Sequence, residues 1–386
     1  MNRKKIAVIV GTRPEAIKMA PVVYALKQRT NEINTVVIAT AQHRHMLDQV
    51  LSLFNIVPGI DLDLMKPDQS LNDLTCRVLQ LMQKTLTDVN PDLLMVQGDT
   101  TTVFAASVAA FYLKIPVAHV EAGLRSYELY NPFPEEANRR LTSVLTQIHL
   151  APTSLAKENL LNEGVKEENI FVTGNTVVDA MSTLLDAPFS FAGSPLENLP
   201  LNRYRVILVT SHRRESHGED LKNTCLALKE IIQRFPDVMV VYPVHLNPNV
   251  RRTVKEILSD VERIALIEPI DYMCFLNLMR KAYIIVTDSG GVQEEAPTLK
   301  KPLLVLRRLT ERPEAFNAGL SKIIGTSTNK IVDEVSLLLT DDKAYQAMIG
   351  SNPFGDGNAS ERIVELVSRW AKNQKPLLLP ENEFKG

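Results

Sequence analysis

The sequence predicts a two-lobed α/β protein in which each lobe contains a parallel sheet. Short β-branched runs alternate with helical stretches along the 386 residues, a rhythm typical of sheets covered by helices on both faces. Proline and glycine interrupt this rhythm near 187–204, and it resumes afterwards. The chain is also longer than a typical single domain with one hydrophobic core. We therefore predict two similar lobes of the doubly wound α/β class.

Short apolar runs give the predicted strands. Four precede the break, at 6–10, 35–39, 93–96 and 117–120. Five follow it, at 206–209, 238–242, 264–267, 284–286 and 303–306. Ser70 and Asp73 form an S-x-x-D pattern, which predicts a helix start of the capping-box kind. Residues 358–372 are predicted to form a last helix, followed from Pro376 by a short polar tail.

The composition is that of an ordinary globular protein, with 45% hydrophobic and 23% charged residues. A formal net charge of −2 gives no general attraction to nucleic acid or to an acidic membrane. Cys76, Cys225 and Cys274 lie far apart and form no CxxC pair, which suits a reducing compartment. The first apolar run is too short for a signal peptide, and no run reaches transmembrane length. These features predict a cytoplasmic protein without nucleic-acid or membrane partners.

The stretch 287–297 carries the strongest binding signal. The predicted strand 284–286 leads into Ser289, Gly290 and Gly291, where a helix is predicted to begin. Small residues let a ligand approach the backbone, and the first helical turn offers unpaired N–H groups to a phosphate. Glu294 and Glu295 would repel that phosphate if both faced it, so at least one is expected to bind hydroxyl groups, as on a ribose. The alternative is an ordinary strand-to-helix turn.

Ligands of open α/β sheets bind beyond the carboxyl ends of the strands, so polar residues at those ends are candidates. Arg13 and Lys18 flank a helix that starts with proline and could clamp a diphosphate, although a solvated basic pair is the alternative. Asp99 follows the strand 93–96 and is either a functional carboxylate or a helix cap. Glu121 follows the strand 117–120, where a carboxylate is costly unless it is solvated or used.

Other patterns exclude several kinds of site. His43 and His45 have no acidic or cysteine neighbour, so no metal site is predicted. The chain lacks G-x-G-x-x-G after its first strand, which disfavours a dinucleotide site, and it also lacks a Walker pattern. No cofactor is predicted. His212 and His245 each follow a predicted strand of the second half, and Arg312 lies in a charged stretch before a helix.

Nine segments closely resemble the bacterial non-hydrolysing UDP-N-acetylglucosamine (UDP-GlcNAc) 2-epimerases. They run in register from about residue 5 to 370 and read GTRPEAIKMAPV, TAQHRHMLDQV, VQGDTTT, VAHVEAGLRS, NPFPEEANRR, TSHRRES, YPVHLNPNV, TDSGGVQEEAP and TERPEAFNAG. The resemblance implies the GT-B fold, which has two Rossmann-like lobes with the active site in the cleft between them, and a homodimer. It implies a first lobe of 1–186 with the helix 358–372 packed back on it, and a second lobe of 187–357.

The resemblance also implies a reaction without a cofactor. UDP-GlcNAc and UDP-N-acetylmannosamine (UDP-ManNAc) would interconvert by anti elimination of UDP to 2-acetamidoglucal and re-addition, supplying N-acetylmannosamine units for surface polysaccharides. Matching motifs imply the catalytic residues Asp99, Glu121, Glu135 and His212. They imply the substrate contacts Arg13, Lys18, Phe275, Ser289, Gly290, Gly291, Glu295 and Arg312. The resemblance does not assign which carboxylate is the base and which is the acid.

A second UDP-GlcNAc molecule activates relatives from a pocket beside the active site. Its matching positions here are Gln42, His43, Gln69, Glu136, Arg213 and His245. His45 and Asp68 depart from the family, and Asp68 puts a negative charge where arginine is common. We therefore predict activation that is present but weaker.

Three other functions stay open at this point. A GT-B glycosyltransferase would share the donor pocket but would need an acceptor. A hydrolysing epimerase would release UDP and free N-acetylmannosamine. A nucleotide-sugar sensor would bind without catalysis, but it would have little use for three carboxylates.

Overall fold

The structure is a computed structural model that describes residues 3–40, 44–64, 69–211 and 218–386, without the side chains of 44–46. The chain forms two compact units. The first lobe consists of Met1–Ser182 and Phe354–Gly386, and the second lobe consists of Thr183–Pro353. The domain limits at 186/187 and 357/358 that the resemblance implies stay predictions.

The first lobe is built on a parallel sheet of seven strands in the order β3-β2-β1-β4-β5-β6-β7. In chain order its strands are β1 (Lys4–Val10), β2 (Ile33–Ala39), β3 (Ile60–Asp61), β4 (Leu93–Gln97), β5 (Val117–Val120), β6 (Ile148–Ala151) and β7 (Ile170–Val172). The helices between them are α1 (Arg13–Gln28), α2 (Arg44–Leu53), α3 (Leu71–Val89), α4 (Thr101–Tyr112), α5 (Glu135–Leu145), α6 (Ser154–Asn162) and α7 (Thr176–Leu185).

The second lobe repeats this plan with six parallel strands in the order β10-β9-β8-β11-β12-β13. Its strands are β8 (Arg205–Thr210), β9 (Val238–Pro243), β10 (Ile264–Ile267), β11 (Ile284–Thr287), β12 (Leu303–Val305) and β13 (Ser321–Ile323). Its helices are α8 (Glu219–Arg234), α9 (Pro248–Leu258), α10 (Tyr272–Lys281), α11 (Gly290–Glu295), α12 (Pro313–Asn317), α13 (Thr328–Thr340) and α14 (Asp342–Ala347).

Both sheets confirm the predicted fold class. In the central strands β1 and β4, the buried residues 6–10 and 93–96 are all apolar because helices cover both faces of these strands. All nine predicted strands are present. Four further strands of two to four residues, β3, β6, β7 and β13, were not predicted.

The predicted start of α3 is confirmed at Ser70. Its Oγ accepts a hydrogen bond from Asp73 N at 3.1 Å and donates to the Asp73 carboxylate at 2.6 Å. The side chain therefore satisfies one of the N–H groups that a helix leaves without a partner in its first turn.

The last helix, α15 (Ala359–Ala371), belongs to the first lobe, and Lys372 at its end pairs with Glu32 at 2.9 Å. The prediction that a polar tail follows this helix is wrong. Leu378 and Phe384 are buried, and Phe384 N–H donates to Val172 O of β7 at 2.8 Å. Apolar side chains hold the tail on the lobe because leaving them in water would cost free energy. Among the described residues, no helix is long and apolar enough to cross a membrane.

Candidate active site

The turn after β1 is fixed by Glu15, a residue that sequence reasoning did not single out. Gly11 N–H donates to Glu15 Oε2 at 2.6 Å. A side chain at Gly11 would place Cβ 2.4 Å from Thr40 Oγ1, so the close approach requires glycine here. Burial raises the pKa of the Glu15 carboxyl to about 7, although hydrogen bonds from Thr100, Gly11 and Thr12 oppose this rise. The signal was an acidic residue in the first turn of α1, four residues after the glycine.

Arg13 is the first residue of α1 and is half-buried. Its guanidinium makes no hydrogen bond within the described parts of the chain. The turn that Glu15 fixes thus presents a cation at the carboxyl end of a central strand, which suits an anionic ligand.

Lys18 and Glu121, which were predicted to act on different parts of a substrate, form a buried ion pair. Glu121 follows β5 with a left-handed φ of 65°, a strained conformation for a residue other than glycine. Asn175 Nδ2 donates to Glu121 Oε2 at 3.0 Å, and Lys18 Nζ bonds to the same oxygen. Two donors therefore hold one carboxylate oxygen.

Asp99 follows β4 and Gly98, whose φ is 81°. Its carboxylate pairs with Arg139 Nη2 at 2.6 Å, and its backbone oxygen accepts from Asn138 Nδ2 at 2.9 Å. The alternative that Asp99 caps α4 is wrong, because Thr100 is the N-cap and its Oγ1 accepts from Val103 N at 3.2 Å. Asp99 is held by α5 instead of serving α4.

A neutral histidine, His119, makes a hydrogen bond to the turn that precedes Asp99. Burial lowers the pKa of His119 to about 4, so its ring is neutral near pH 7. The His119 Nε2 lies 2.7 Å from Gly98 O. Because a carbonyl only accepts, Nε2 carries the proton and donates it.

Glu135 and Glu136 open α5, where the positive end of the helix dipole favours carboxylates. Glu135 is half-buried, whereas Glu136 is fully buried. Glu136 accepts from Ser126 N at 3.0 Å, from Tyr127 N at 3.2 Å and from Arg139 Nη1 at 3.1 Å. This geometry ties the segment after β5 to α5, and the predicted regulatory role of Glu136 stays a prediction.

In the second lobe, the glycines after β11 have different surroundings. A Cβ on Gly290 would lie 2.7 Å from Arg312 Nη1, whereas a Cβ on Gly291 would meet no atom of the described residues within 4 Å. Ser289 is the N-cap residue of α11, and its N–H donates to Thr287 Oγ1 at 2.9 Å. Gly290 therefore makes room for an internal arginine, and Gly291 leaves the surface of the turn open.

Arg312 lies in a buried network of four charges. Its Nε pairs with Glu294 at 2.5 Å, and its Nη1 pairs with Glu311. Arg307 Nη1 binds the other Glu311 oxygen at 2.8 Å. Arg312 thus compensates the charge of Glu294, and its predicted contact with the substrate stays a prediction.

The two carboxylates of α11 are separated by their partners. Glu294 pairs with Arg312, whereas Glu295 Oε1 accepts from Tyr272 OH of α10 at 2.9 Å. Phe275 lies one turn further along α10 and is half-buried. That one of the two carboxylates binds ribose hydroxyl groups stays a prediction.

Known proteins of one family match nearly the whole chain. The sequence profile described as UDP-N-acetylglucosamine 2-epimerase matches residues 25–368. The chain belongs to this family. A UDP-N-acetylglucosamine 2-epimerase of Yersinia pestis is 52% identical over 371 residues, which cover 94% of this chain and 98% of the relative.

Solved structures of epimerases have the same fold. The Neisseria meningitidis UDP-GlcNAc 2-epimerase bound to UDP-GlcNAc is 50% identical, with a TM-score of 0.89, and the match covers 94% of this chain and 99% of that one. The Methanocaldococcus jannaschii enzyme in complex with UDP-GlcNAc and UDP is 36% identical, with a TM-score of 0.80 and coverage of 94% and 99%. The predicted GT-B fold class and the predicted enzyme class, an isomerase, are confirmed.

Several residues of this epimerase family member that were predicted to have a functional role lie outside the residues that the structure describes. They are Gln42, His43, Asp68, His212 and Arg213. The side chain of His45 is likewise not described. His245 is exposed and its Nδ1 accepts from Asn247 N at 3.2 Å, and Gln69 is half-buried. The described residues contain no group of three or more His, Cys, Asp or Glu side chains that could hold a metal ion.

Sequence reasoning on this epimerase family member also missed residues that hold the candidate groups. Asn175 and Arg139 contact Glu121 and Asp99, and His119 contacts the turn before Asp99. Arg139 lies in the quoted segment NPFPEEANRR, but that pattern does not reveal its partner. Asn175 follows β7, which was not predicted, so the sequence did not show that Asn175 lies near a strand end.

Proposed function

We propose that this chain interconverts UDP-GlcNAc and UDP-ManNAc as a non-hydrolysing 2-epimerase. Family membership supports the substrate, since the Neisseria meningitidis relative is bound to UDP-GlcNAc. The observation that carries the proposal is the carboxylate set of the first lobe. Asp99 and Glu121 follow the neighbouring strands β4 and β5, and Glu135 begins α5. General acid–base chemistry on a sugar requires such groups.

The proposed reaction is an anti elimination followed by an addition. A carboxylate removes the C-2 proton, and that C–H electron pair becomes the C-1=C-2 double bond of 2-acetamidoglucal. The C-1–oxygen bond breaks, and its electron pair leaves with UDP. A phosphate oxygen of UDP then bonds to C-1 again, and a carboxylic acid delivers a proton to the other face of C-2. Electrons balance without a redox cofactor.

The two lobes supply different groups to this reaction. In the first, Asp99, Glu121 and Glu135 are the acid–base candidates, with Arg13 and Lys18 as diphosphate contacts. In the second, the proposed diphosphate contacts are the N–H groups around Ser289, Gly290 and Gly291. Glu295 is proposed to bind the ribose hydroxyls, and Phe275 and Arg312 to complete the nucleotide contacts. His212 is proposed to lie beside the leaving diphosphate.

Turnover of UDP-GlcNAc in D₂O without any acceptor tests the proposal. We expect UDP-ManNAc to form, with deuterium at C-2 of both epimers, in an NMR time course. Full retention of the original hydrogen at C-2 would exclude the elimination. Release of UDP with free N-acetylmannosamine would identify a hydrolysing epimerase, turnover only with an added acceptor a glycosyltransferase, and binding without turnover a sensor.

We propose further that the enzyme works in the cytoplasm and supplies N-acetylmannosamine units for a surface polysaccharide. The support is the proposed product, together with Cys76, Cys225 and Cys274, which are free thiols as a reducing compartment would keep them. Deletion of the gene should remove N-acetylmannosamine from the surface glycan, and fractionation should recover the protein from the cytoplasm. An unchanged glycan would refute this role.

A homodimer is the proposed assembly. Its support is an apolar surface on α4 and α5, formed by Phe111, Tyr112, Leu141 and Val144, of which Tyr112 is 74% and Val144 81% exposed. Contiguous exposed apolar side chains are typical of a contact surface. The double variant Tyr112→Asp/Val144→Asp should be a monomer in light scattering, where the wild type should be a dimer. A dimeric double variant would place the contact elsewhere.

Weak activation by UDP-GlcNAc at a second site is the last part of the proposal. It rests on Gln42, His43, Gln69, Glu136, Arg213 and His245. Asp68 would add a negative charge near a diphosphate, which solvent could partly screen. Starting from pure UDP-ManNAc, we expect a modest lag that traces of UDP-GlcNAc shorten. A full-rate start would refute activation, and a deep lag would refute the effect of Asp68.

A further inference from the structure

The Glu121 carboxylate receives a second side chain besides Lys18. Asn175 lies just after β7, two strands away from β5, and its Nδ2 donates to Glu121 Oε2 at 3.0 Å. Both side chains are buried. We propose that Asn175 is a positioning residue that fixes the orientation of the Glu121 carboxylate for proton transfer. This inference rests on the proposed function.

The hydrogen bonds of Asn175 determine which way its amide points. Asn175 Oδ1 accepts from Val177 N at 3.0 Å, at the start of α7. With the oxygen engaged there, the NH₂ group must face Glu121, because the opposite orientation would set oxygen against carboxylate and N–H against NH₂. The amide is therefore held as a donor toward Glu121.

The backbone of Asn175 is clamped by the chain that returns to the first lobe. Asn175 N–H donates to Phe354 O at 2.7 Å. At the preceding Gly174, whose φ is 87°, a Cβ would lie 3.5 Å from Ala359 Cβ and 3.6 Å from Phe384. Phe354, Ala359 and Phe384 of the returning segment therefore all lie next to this turn and restrict the movement of Asn175.

Lys18 alone would not fix the carboxylate. An ammonium group is a point charge with rotatable donors on a flexible stem, so it fixes a distance but not a plane. A planar amide on a clamped turn adds a directional hydrogen bond to the same oxygen. Glu121 also has a strained left-handed backbone, and such residues persist only where their surroundings over-determine them. Misplacing a reacting group by about 1 Å can cost about 10²-fold in rate.

The test compares Asn175→Asp with Asn175→Ala. Aspartate keeps an oxygen that can accept from Val177 N, but it replaces the donor to Glu121 by an acceptor. Alanine removes both bonds. We expect kcat to fall roughly 10- to 100-fold in both variants, with the Kd for UDP within about twofold of wild type, since a misplaced proton acceptor affects the transition state.

Asn159→Asp is the matched control. Asn159 is a buried asparagine of the same lobe whose Nδ2 donates to Gly123 O at 2.9 Å, not to a carboxylate. The loss of kcat in Asn159→Asp should be smaller than the loss in Asn175→Asp by a factor of at least about ten, when the two variants have a similar change in Tm. Wild-type kcat in Asn175→Asp with a loss only in Asn175→Ala would reduce Asn175 to a turn cap and overturn the proposal. Equal losses in Asn159→Asp and Asn175→Asp would overturn it as well.

A measurement without turnover separates this inference from the proposed function. Crystal structures of wild type and Asn175→Asp should differ in the rotation of the Glu121 carboxylate, whether or not the protein epimerises UDP-GlcNAc. An unchanged carboxylate in the variant overturns the positioning role. A wild type without epimerase activity refutes the proposed function and leaves this structural comparison valid.

Discussion

Two of the proposed acid–base groups of the first lobe are held by side chains, whereas the proposed phosphate-binding turn of the second lobe relies on backbone N–H groups. Glu121 is fixed by Lys18 and Asn175, and Asp99 is fixed by Arg139. In the second lobe, α11 begins at Gly290 and Gly291, where the first-turn N–H groups are not shielded by side chains of their own, and the buried Arg312 network lies next to Gly290.

This difference corresponds to the two tasks of the proposed reaction. A group that moves a proton must be oriented, and a buried carboxylate must be compensated by donors or cations. A diphosphate requires several N–H donors and space, which a turn without bulky side chains supplies. Substitutions in the first lobe should therefore lower kcat, and substitutions in the second lobe should weaken binding.

The largest effect is expected from the first-lobe carboxylates. Asp99→Asn, Glu121→Gln and Glu135→Gln should each lower kcat by about 10²–10⁴-fold, the scale of general acid–base catalysis, with little change in the Kd for UDP. NMR turnover and calorimetry measure the two quantities. Glu158→Gln, at an exposed position of α6, is the control and should behave like wild type. A variant that keeps normal kcat would remove its residue from the proposed acid–base set.

The two glycines of the second lobe allow a sharper comparison. Gly290→Val should displace Arg312, because the new Cβ would lie 2.7 Å from a guanidinium that two carboxylates hold in place. Overpacking costs about 1–3 kcal/mol, so this variant should lose both stability and UDP affinity. Gly291→Val adds the same β-branched side chain to the same helix, at a position where no atom in the described parts of the chain lies within 4 Å of the new Cβ.

Gly291→Val should therefore lose UDP affinity while its Tm stays closer to wild type. Calorimetry with UDP and thermal unfolding give both values. Equal loss of Tm in the two variants would show that the open space at Gly291 does not distinguish it from Gly290.

A substitution of Arg13 tests whether the first lobe also binds UDP. Arg13→Ala should weaken UDP binding by about 1.5–3 kcal/mol, the value of a charge-assisted hydrogen bond, which is roughly 10- to 150-fold in Kd. Lys27→Ala, at the other end of α1 and exposed, is the matched control. An unchanged Kd for Arg13→Ala would make this residue a solvated cation and would remove it from the proposed diphosphate contacts.

The smallest effect is expected from Glu15. The pKa of Glu15 is about 7 in the folded protein, whereas a solvated glutamate in the unfolded chain has its usual pKa of 4.5. Wild-type stability should therefore fall relative to Glu15→Gln as pH rises from 5 to 8, by on the order of 1–3 kcal/mol or a few degrees in Tm. Thermal unfolding at several pH values measures this difference. A difference independent of pH would contradict the raised pKa.

His119 and His149 oppose this trend in both proteins. Burial lowers the pKa of His119 to about 4 and that of His149 to about 3, so their contribution to stability is lost as pH falls from about 6.5. Because wild type and Glu15→Gln share both histidines, their effect cancels in the comparison.

The sequence by itself determined the alternation of strands and helices and the residues at the strand ends. The apolar runs at 6–10 and 117–120 became β1 and β5 because such runs are stable where helices cover both faces of a strand. The rule that ligands bind at the carboxyl ends of parallel strands made Arg13, Asp99 and Glu121 candidate site residues.

Only the tertiary structure decided the partners of these residues. Glu121 lies 103 residues from Lys18 and 54 from Asn175, and Asp99 lies 40 residues from Arg139. The sheet order β1-β4-β5-β6-β7 and the packing of helices on it bring these groups together. A sequence pattern reports the local periodicity of one segment, whereas a hydrogen bond between distant segments depends on how they pack.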